Sequence, residues 1–166
     1  MALVLNEDEM MMRDMAQGFF AEKAPVTALR ELRDNRDETG FDRGLWSEMA
    51  AQGFAGIVVP EEHGGVDMGY LAAGLVAEQM GRNLTASPFM STAILAATAF
   101  KHGSDELKAA WLPKIAAGES IVALAIDEWK ASSGVAITVL SSSSGSSSDG
   151  SASAKGASAS ACGGVT

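Results

Sequence analysis

The side chains of this chain that could carry acid–base or metal chemistry are few and widely spaced. Glu61 and Glu62 are adjacent carboxylates in a turn, where such a pair is normally only hydrated. His63 follows them beside two glycines and is expected to be a solvated loop residue, while His102 stands at a helix end, where an imidazole interacts with the negative end of the helix dipole. With two histidines and the single Cys162, the sequence offers no zinc ligand cluster and no internal disulfide. We therefore assign no metal site and no catalytic histidine.

Composition excludes other classes of function. Of the 166 residues, 47% are apolar, which is enough for the core of one domain, and the net charge is −9. The basic residues are scattered, so no basic stripe is available to displace counterions from a nucleic acid. No apolar run approaches the roughly 20 residues that span a bilayer, and the N-terminus lacks the pattern of a signal peptide. We expect a soluble, cytoplasmic protein without nucleic-acid partners.

The first predicted helix begins at a capping box. Asn6 is an N-cap residue with Glu9 three positions later, and Leu5 and Met10 occupy the two staple positions around it. Apolar residues then repeat at helical spacing, which predicts a buried, Met-rich stripe formed by Met11, Met15 and Phe19 beside Met12 and Phe20.

Caps and breakers predict five further helices. Their limits are Pro25 to about Asp34, Asp42 to Gly53, about Met68 to Arg82, Ser87-Pro88 to about Lys101, and Ser104 to Gly118. Ile57–Val59 is predicted to be a short extended segment stopped by Pro60. Inward-facing side chains of these helices are expected to include Trp46, Leu71, Leu75, Val76, Met80 and Trp111.

The end of the chain changes character. Ser120–Ile126 reads as a buried strand, whereas from Ala131 onward nearly every residue is Ser, Ala or Gly. That composition alone is typical of a flexible linker.

Three ordered motifs carry a resemblance to a known family. GIVVPEEHGG at Gly56–Gly65, AEQMGR at Ala77–Arg82 and LPKIAAGESIVALAIDE at Leu112–Glu128 resemble, in order and spacing, the N-terminal helical domain of acyl-CoA dehydrogenases. The resemblance implies a mostly α fold: a bundle of about six helices over residues 1–119, followed at 120–166 by the beginning of the family's middle β-barrel-like domain. Because members of the family are more than twice as long, it also implies that this chain is part of a longer protein.

The same resemblance reinterprets the end of the chain. Gly156 and Gly164 stand at the spacing of two glycines in the strands of the middle domain, with Ser158 in place of a Lys and Ser160 in place of an aromatic residue. Asp149-Gly150 lies near the usual hairpin turn. We therefore expect extended structure from Ala136 onward. Because Ser and Ala stand where the family has larger side chains, we also expect the true side chains of this segment to be larger than the Ser and Ala of the sequence.

The activity implied by the resemblance is FAD-dependent α,β-dehydrogenation of an acyl-CoA thioester, followed by electron transfer to an acceptor protein. In this family a Glu of the C-terminal helical domain is the base that removes the α-proton. No residue of this chain corresponds to it, so no catalytic residue is assigned. A homo- or hetero-oligomer is expected.

The resemblance also implies site residues. The strand that ends the helical domain contributes flavin contacts, which implies cofactor-binding roles for Leu124, Ile126, Asp127 and Ser133. Asp127 departs from the pattern, since a hydroxyl residue is usual there and a carboxylate would repel a flavin that becomes anionic on reduction. The fifth helix lines the acyl tunnel, which implies substrate-binding roles for Ser87, Met90, Ser91 and Ile94, although core packing explains these four equally well.

A second function remains open from the sequence. The chain could be a non-catalytic helical partner subunit of a heteromeric acyl-CoA dehydrogenase, or a stand-alone binding module. GxGxxG and P-loop patterns are absent from the sequence, which fits a flavoprotein that holds FAD without a Rossmann fingerprint.

Overall fold

The computed structural model describes the backbone of residues 5–129 and 132–141 and the side chains of residues 5–123. Its helices are α1 (Glu7–Lys23), α2 (Val26–Asp34), α3 (Arg43–Ala51), α4 (Gly69–Arg82), a π-helix (Phe89–Ala96) that continues as α5 (Ala97–Lys101), and α6 (Asp105–Ala116). Two 3-10 turns, Phe54–Gly56 and Glu61–His63, lie between α3 and α4, and the strands β1 (Ser120–Trp129) and β2 (Ser132–Ser141) form an antiparallel pair. The prediction of a mostly α fold that leads into β structure is confirmed.

The predicted capping box opens α1. The Asn6 side chain accepts a hydrogen bond from the Glu9 N–H at 2.7 Å, and the Glu9 carboxylate accepts one from the Asn6 N–H at 2.8 Å. These bonds satisfy two donors that the helix start would otherwise leave unpaired.

We expect Asn6→Ala to lower the free energy of unfolding by roughly 0.5–2 kcal/mol, the usual effect of losing an N-cap side chain. Urea denaturation would measure the change. Glu9→Gln is the control, because an amide can preserve the reciprocal bond, and a loss as large as that of Asn6→Ala would contradict a cap held by hydrogen bonding.

The buried face of α1 differs from the predicted one. Met12, Ala16 and Phe20 are buried, whereas Met11 is 67% and Met15 37% exposed, and Phe19 is only partly buried. The two candidate stripes are one residue apart and both apolar. Burial follows the face that packs along α4, where the small Ala16 is completely covered.

Two other predicted features of the core are wrong. Ile57–Val59 is buried but not extended, because it folds as successive turns in which the Ile57 carbonyl accepts a hydrogen bond from the Met68 N–H and the Val59 carbonyl accepts one from the Asp67 N–H. Leu71 is 40% exposed, although Leu75, Val76 and Met80 on the same helix are buried as expected.

Trp46 and Trp111 make specific contacts with residues near the end of the helical domain. Trp46 is 2% exposed and its indole N–H donates to the Gly118 carbonyl at 3.0 Å, which fixes the start of the connection to β1. Trp111, expected to be buried, is only partly buried; its ring stacks on Phe100 at 5.7 Å, and the Lys114 ammonium lies 5.3 Å from it. A cation over an indole face is a favourable contact.

β2 gives extended structure to Ala136–Ser141, as expected for the first part of that segment. The predicted features at Asp149-Gly150, Gly156, Ser158, Ser160 and Gly164 lie outside the described residues. The boundary between residues 119 and 120 stays a prediction. Among the helices that the structure describes, none combines the length and apolar character needed to cross a membrane.

Candidate flavin and acyl-chain site

The position of β1 is fixed by a buried threonine. The Thr92 hydroxyl, on the π-helix, donates to the Val122 carbonyl at 3.0 Å and accepts from the Val122 N–H at 3.0 Å. In an antiparallel strand the N–H and C=O of one residue point to the same side. Both polar backbone groups of Val122 therefore point toward the helix and away from its partner Val139 on β2.

This orientation determines the rest of the strand. Backbone direction alternates along a strand, so the N–H and C=O groups of Leu124 and Ile126 point to the same side as those of Val122. We call this side the outer edge of β1. Within the described residues, β1 pairs with β2 alone, through its opposite side.

Two predicted cofactor residues thus present their backbones at one edge, and two do not. The backbone of Asp127 points toward β2, where it faces Gly134, while Ser133 lies on β2 opposite Glu128, near the hairpin end. The structure brings Leu124 and Ile126 together at the outer edge and places Asp127 and Ser133 close to the turn that joins the strands.

A groove lies between the end of α4 and the start of the π-helix. Its volume is about 280 Å³, near the small end of the range of ligand pockets, and its lining contains no ionisable side chain. We call it the α4–π groove. The lining residues are Ala77, Met80, Gly81, Leu84, Thr85, Ser87, Phe89 and Met90.

Of the four predicted substrate residues, the groove contains two. Ser87 and Met90 line it, and Met90 is 60% exposed. Ser91 instead donates to the Pro88 carbonyl at 3.1 Å, and Ile94 packs against the core cluster. The π-helix therefore has a groove-facing side and a core-facing side.

Sequence reasoning missed three residues of this region. Leu84 has a φ of 52°, which turns the chain sharply between α4 and the π-helix, and a leucine gives no signal for this conformation. Thr85 lines the groove without any motif. Thr92 did carry a signal, because it is, like its neighbour Ser91, a hydroxyl residue in an almost wholly apolar helix.

Local partners explain the two carboxyl groups whose pKa values are displaced. A hydrogen bond from the Thr39 hydroxyl, with the N–H groups of Thr39 and Gly40, holds the pKa of Asp37 below its usual value. The neighbouring Lys108 ammonium lowers the pKa of Asp105 in the same direction. Neither residue lines the α4–π groove. In the part of the chain that the structure describes, no cluster of three acidic, His or Cys side chains could hold a metal ion.

The fold and the candidate site define a class: a helical domain that leads into an antiparallel pair of strands, with a groove and a strand edge at the junction. The family model described as "Acyl-CoA dehydrogenase, N-terminal domain" matches residues 6–119 of this chain. The chain therefore belongs to the acyl-CoA dehydrogenase family.

Relatives in Mycobacterium tuberculosis support this assignment. The acyl-CoA dehydrogenase IpdE2 is 28% identical over 141 residues, which cover 84% of this chain and 43% of IpdE2. The acyl-CoA dehydrogenase FadE12 is 41% identical over 86 residues, or 51% of this chain and 22% of FadE12. The chain thus spans less than half the length of these relatives.

Solved structures share the fold. The ChsE4-ChsE5 complex from Mycobacterium tuberculosis is similar with a TM-score of 0.69 and 26% identity, over 83% of this chain and 40% of the matched chain. An acyl-CoA dehydrogenase complexed with FAD from Bacillus anthracis has a TM-score of 0.53 and 23% identity, over 77% of this chain and 22% of the other, and shows a shared fold.

Proposed function

We propose that this chain supplies the helical domain and the first β-strands of an FAD-dependent acyl-CoA dehydrogenase. In this proposal the flavin binds along the outer edge of β1 and the acyl chain enters the α4–π groove. The observation that carries it is the shared helical segment: the π-helix contributes Met90 to the groove and bonds through Thr92 to β1. The two predicted sites are therefore neighbours.

The outer edge of β1 suits a flavin chemically. A strand edge presents alternating N–H donors and C=O acceptors, and the flavin ring has complementary groups along one side. FAD, when bound, would supply the hydride acceptor. We assign the backbone contacts to Leu124 and Ile126, and further contacts near the hairpin to Asp127 and Ser133.

The groove suits an acyl chain rather than a charged group. Met80, Leu84, Phe89 and Met90 provide apolar walls, and Ser87 stands at the rim with its hydroxyl accepting a bond from the Phe89 N–H at 3.2 Å. Apolar walls of this kind favour a hydrocarbon chain over a charged group. The base that removes the α-proton is proposed to lie outside this chain.

The direct test uses the gene with whatever coding sequence adjoins this chain. The purified protein is examined for visible flavin absorption and then mixed anaerobically with a panel of acyl-CoA thioesters. Bleaching of a yellow chromophore supports the proposal. A protein that stays colourless after reconstitution with FAD, alone and with any homologue encoded beside it, overturns it.

A second function is favoured by one comparison. The ChsE4-ChsE5 complex contains two different chains, and Asp127 stands here where a hydroxyl residue is usual. A partner subunit that completes a flavin site in another chain would agree with both facts. Flavin that binds only after co-expression with a homologous chain would favour this function.

Met90→Trp tests the groove. The larger ring would fill part of its volume, and we expect kcat/KM for acyl-CoA to fall about tenfold or more, since a misfit in an apolar pocket is worth roughly 1–3 kcal/mol. Leu95→Trp is the matched control, because Leu95 is 52% exposed on the same π-helix and does not line the groove. Equal losses in both variants would contradict the assignment.

A further inference from the structure

Thr92 is the one polar side chain among the fully buried large residues of the described part of the chain. It is 0% exposed, and its hydroxyl uses donor and acceptor capacity on a single residue, Val122, which is also 0% exposed. A threonine hydroxyl has one O–H donor and two acceptor lone pairs. At this one position the Thr92 hydroxyl therefore pairs with both the N–H and the C=O of a β1 residue, as the backbone of a neighbouring strand would.

The Thr92–Val122 pair also favours one register of β1 over its neighbours. Because backbone direction alternates, a slip of β1 by one residue would turn the polar groups of Ile121 or Ala123 toward Thr92 and those of Leu124 and Ile126 toward β2. The bond to Val122 selects the opposite arrangement. In that arrangement, which agrees with the pairing of β1 and β2, the backbone groups of Leu124 and Ile126 lie on the outer edge.

The position of Thr92 links this register to the groove. Thr92 donates its own N–H to the Pro88 carbonyl at 2.8 Å, and Phe89 and Met90 between them line the groove. Short π-helical segments inside helices are frequent at functional sites. The groove wall and the anchor of β1 thus belong to a single turn.

We propose that Thr92 is a positioning residue that holds the outer edge of β1 in register and at a set distance from the α4–π groove. The inference rests on the proposed function, since that edge is where FAD is proposed to bind. Thr92 itself touches neither the flavin nor the substrate. It acts through Val122.

The experiment compares four substitutions in the full protein. Thr92→Val removes the hydroxyl at nearly constant side-chain volume. Thr92→Ser and Thr92→Ala both remove the methyl group, and they differ from each other only in the hydroxyl. Thr98→Val is the matched control, because it makes the same change in α5. The Thr98 hydroxyl lies 2.9 Å from the Tyr70 hydroxyl and, among the described residues, makes no bond to β1. Two quantities are measured: amide hydrogen exchange over residues 121–126, without FAD, and the affinity and visible spectrum of bound FAD.

We expect Thr92→Val to speed amide exchange in β1 and to weaken FAD binding, each by about tenfold, as for the loss of one buried hydrogen-bond partner. The resolved shoulders of the flavin spectrum should blur in the same variant. Thr92→Ser should restore both quantities to within about threefold of the original protein, and Thr98→Val should leave both within about twofold.

Several results would overturn the proposal. Unchanged exchange and FAD binding in Thr92→Val would do so, and so would a Thr92→Ser protein no better than Thr92→Ala, because the methyl group would then be the important part. If Thr92→Val does not fold, the Ser and Ala pair decides. If the original protein binds no FAD, the proposed function fails, and the exchange comparison alone decides whether Thr92 holds β1.

Discussion

Gly65→Ala is expected to be the most damaging conservative substitution in the helical domain, lowering the free energy of unfolding by about 4 kcal/mol or more, in the exceptional range for single changes. A Cβ at Gly65 would overlap the carbonyl group of Val59 and lie 2.5 Å from the Val59 Cβ. Backbone cannot rotate away as a flexible side chain can. The turns that bury Ile57–Val59 would have to open, and thermal and urea denaturation would record the loss.

Gly74→Ala is the matched control for this prediction. Gly74 lies within α4, and a Cβ there would meet nothing within 4 Å. Because glycine costs a helix interior roughly 0.5–1 kcal/mol relative to alanine, this variant should be slightly more stable than the original protein. A Gly65→Ala protein of ordinary stability would show that the Gly56–Val66 turns are looser than described.

Phe20→Ala is expected to have the second largest effect, a loss of roughly 3–5 kcal/mol, as for other buried aromatic residues. Phe20 is 0% exposed, stacks on Phe54 at 5.6 Å and meets the edge of Phe19 at 5.1 Å. Its removal leaves a cavity where α1 meets the turns after α3. Calorimetry and urea denaturation should agree on the size of the loss.

Met11→Ala provides the contrast on the same helix. With 67% of its surface exposed, Met11 should contribute less than about 0.5 kcal/mol, in the range of ordinary surface substitutions. Equal losses for Met11→Ala and Phe20→Ala would restore the Met11, Met15 and Phe19 stripe as the buried face of α1.

Local signals explain what the sequence predicted well. The caps at Asn6, Asp42 and Ser104 depend on residues within three positions of each helix start, and all three side chains accept the expected backbone bonds. The errors concern choices that tertiary packing makes. Met11 and Met12 are equally apolar, so only the approach of α4 decides which of them is buried.

The sequence indicated residues for a candidate site but could not indicate their geometry. The resemblance implied substrate-binding roles for four residues of this region. Ser87 and Met90 line the groove, whereas Ser91 donates to the Pro88 carbonyl and Ile94 packs against the core. The outer edge of β1 could not be derived from sequence. It depends on a bond between Thr92 and Val122, 30 residues apart, that no periodicity records.

The Trp46–Gly118 bond has a consequence for synthesis on the ribosome. Its two partners are separated by 72 residues, so closing this contact carries a chain-entropy cost that local helix contacts do not. The segments of α1, α2 and α3 emerge first and can become helical early. The hydrogen-bond partner of the Trp46 indole is nevertheless synthesised only when nearly the whole helical domain has been translated. Completion of the domain core is therefore a late step in co-translational folding.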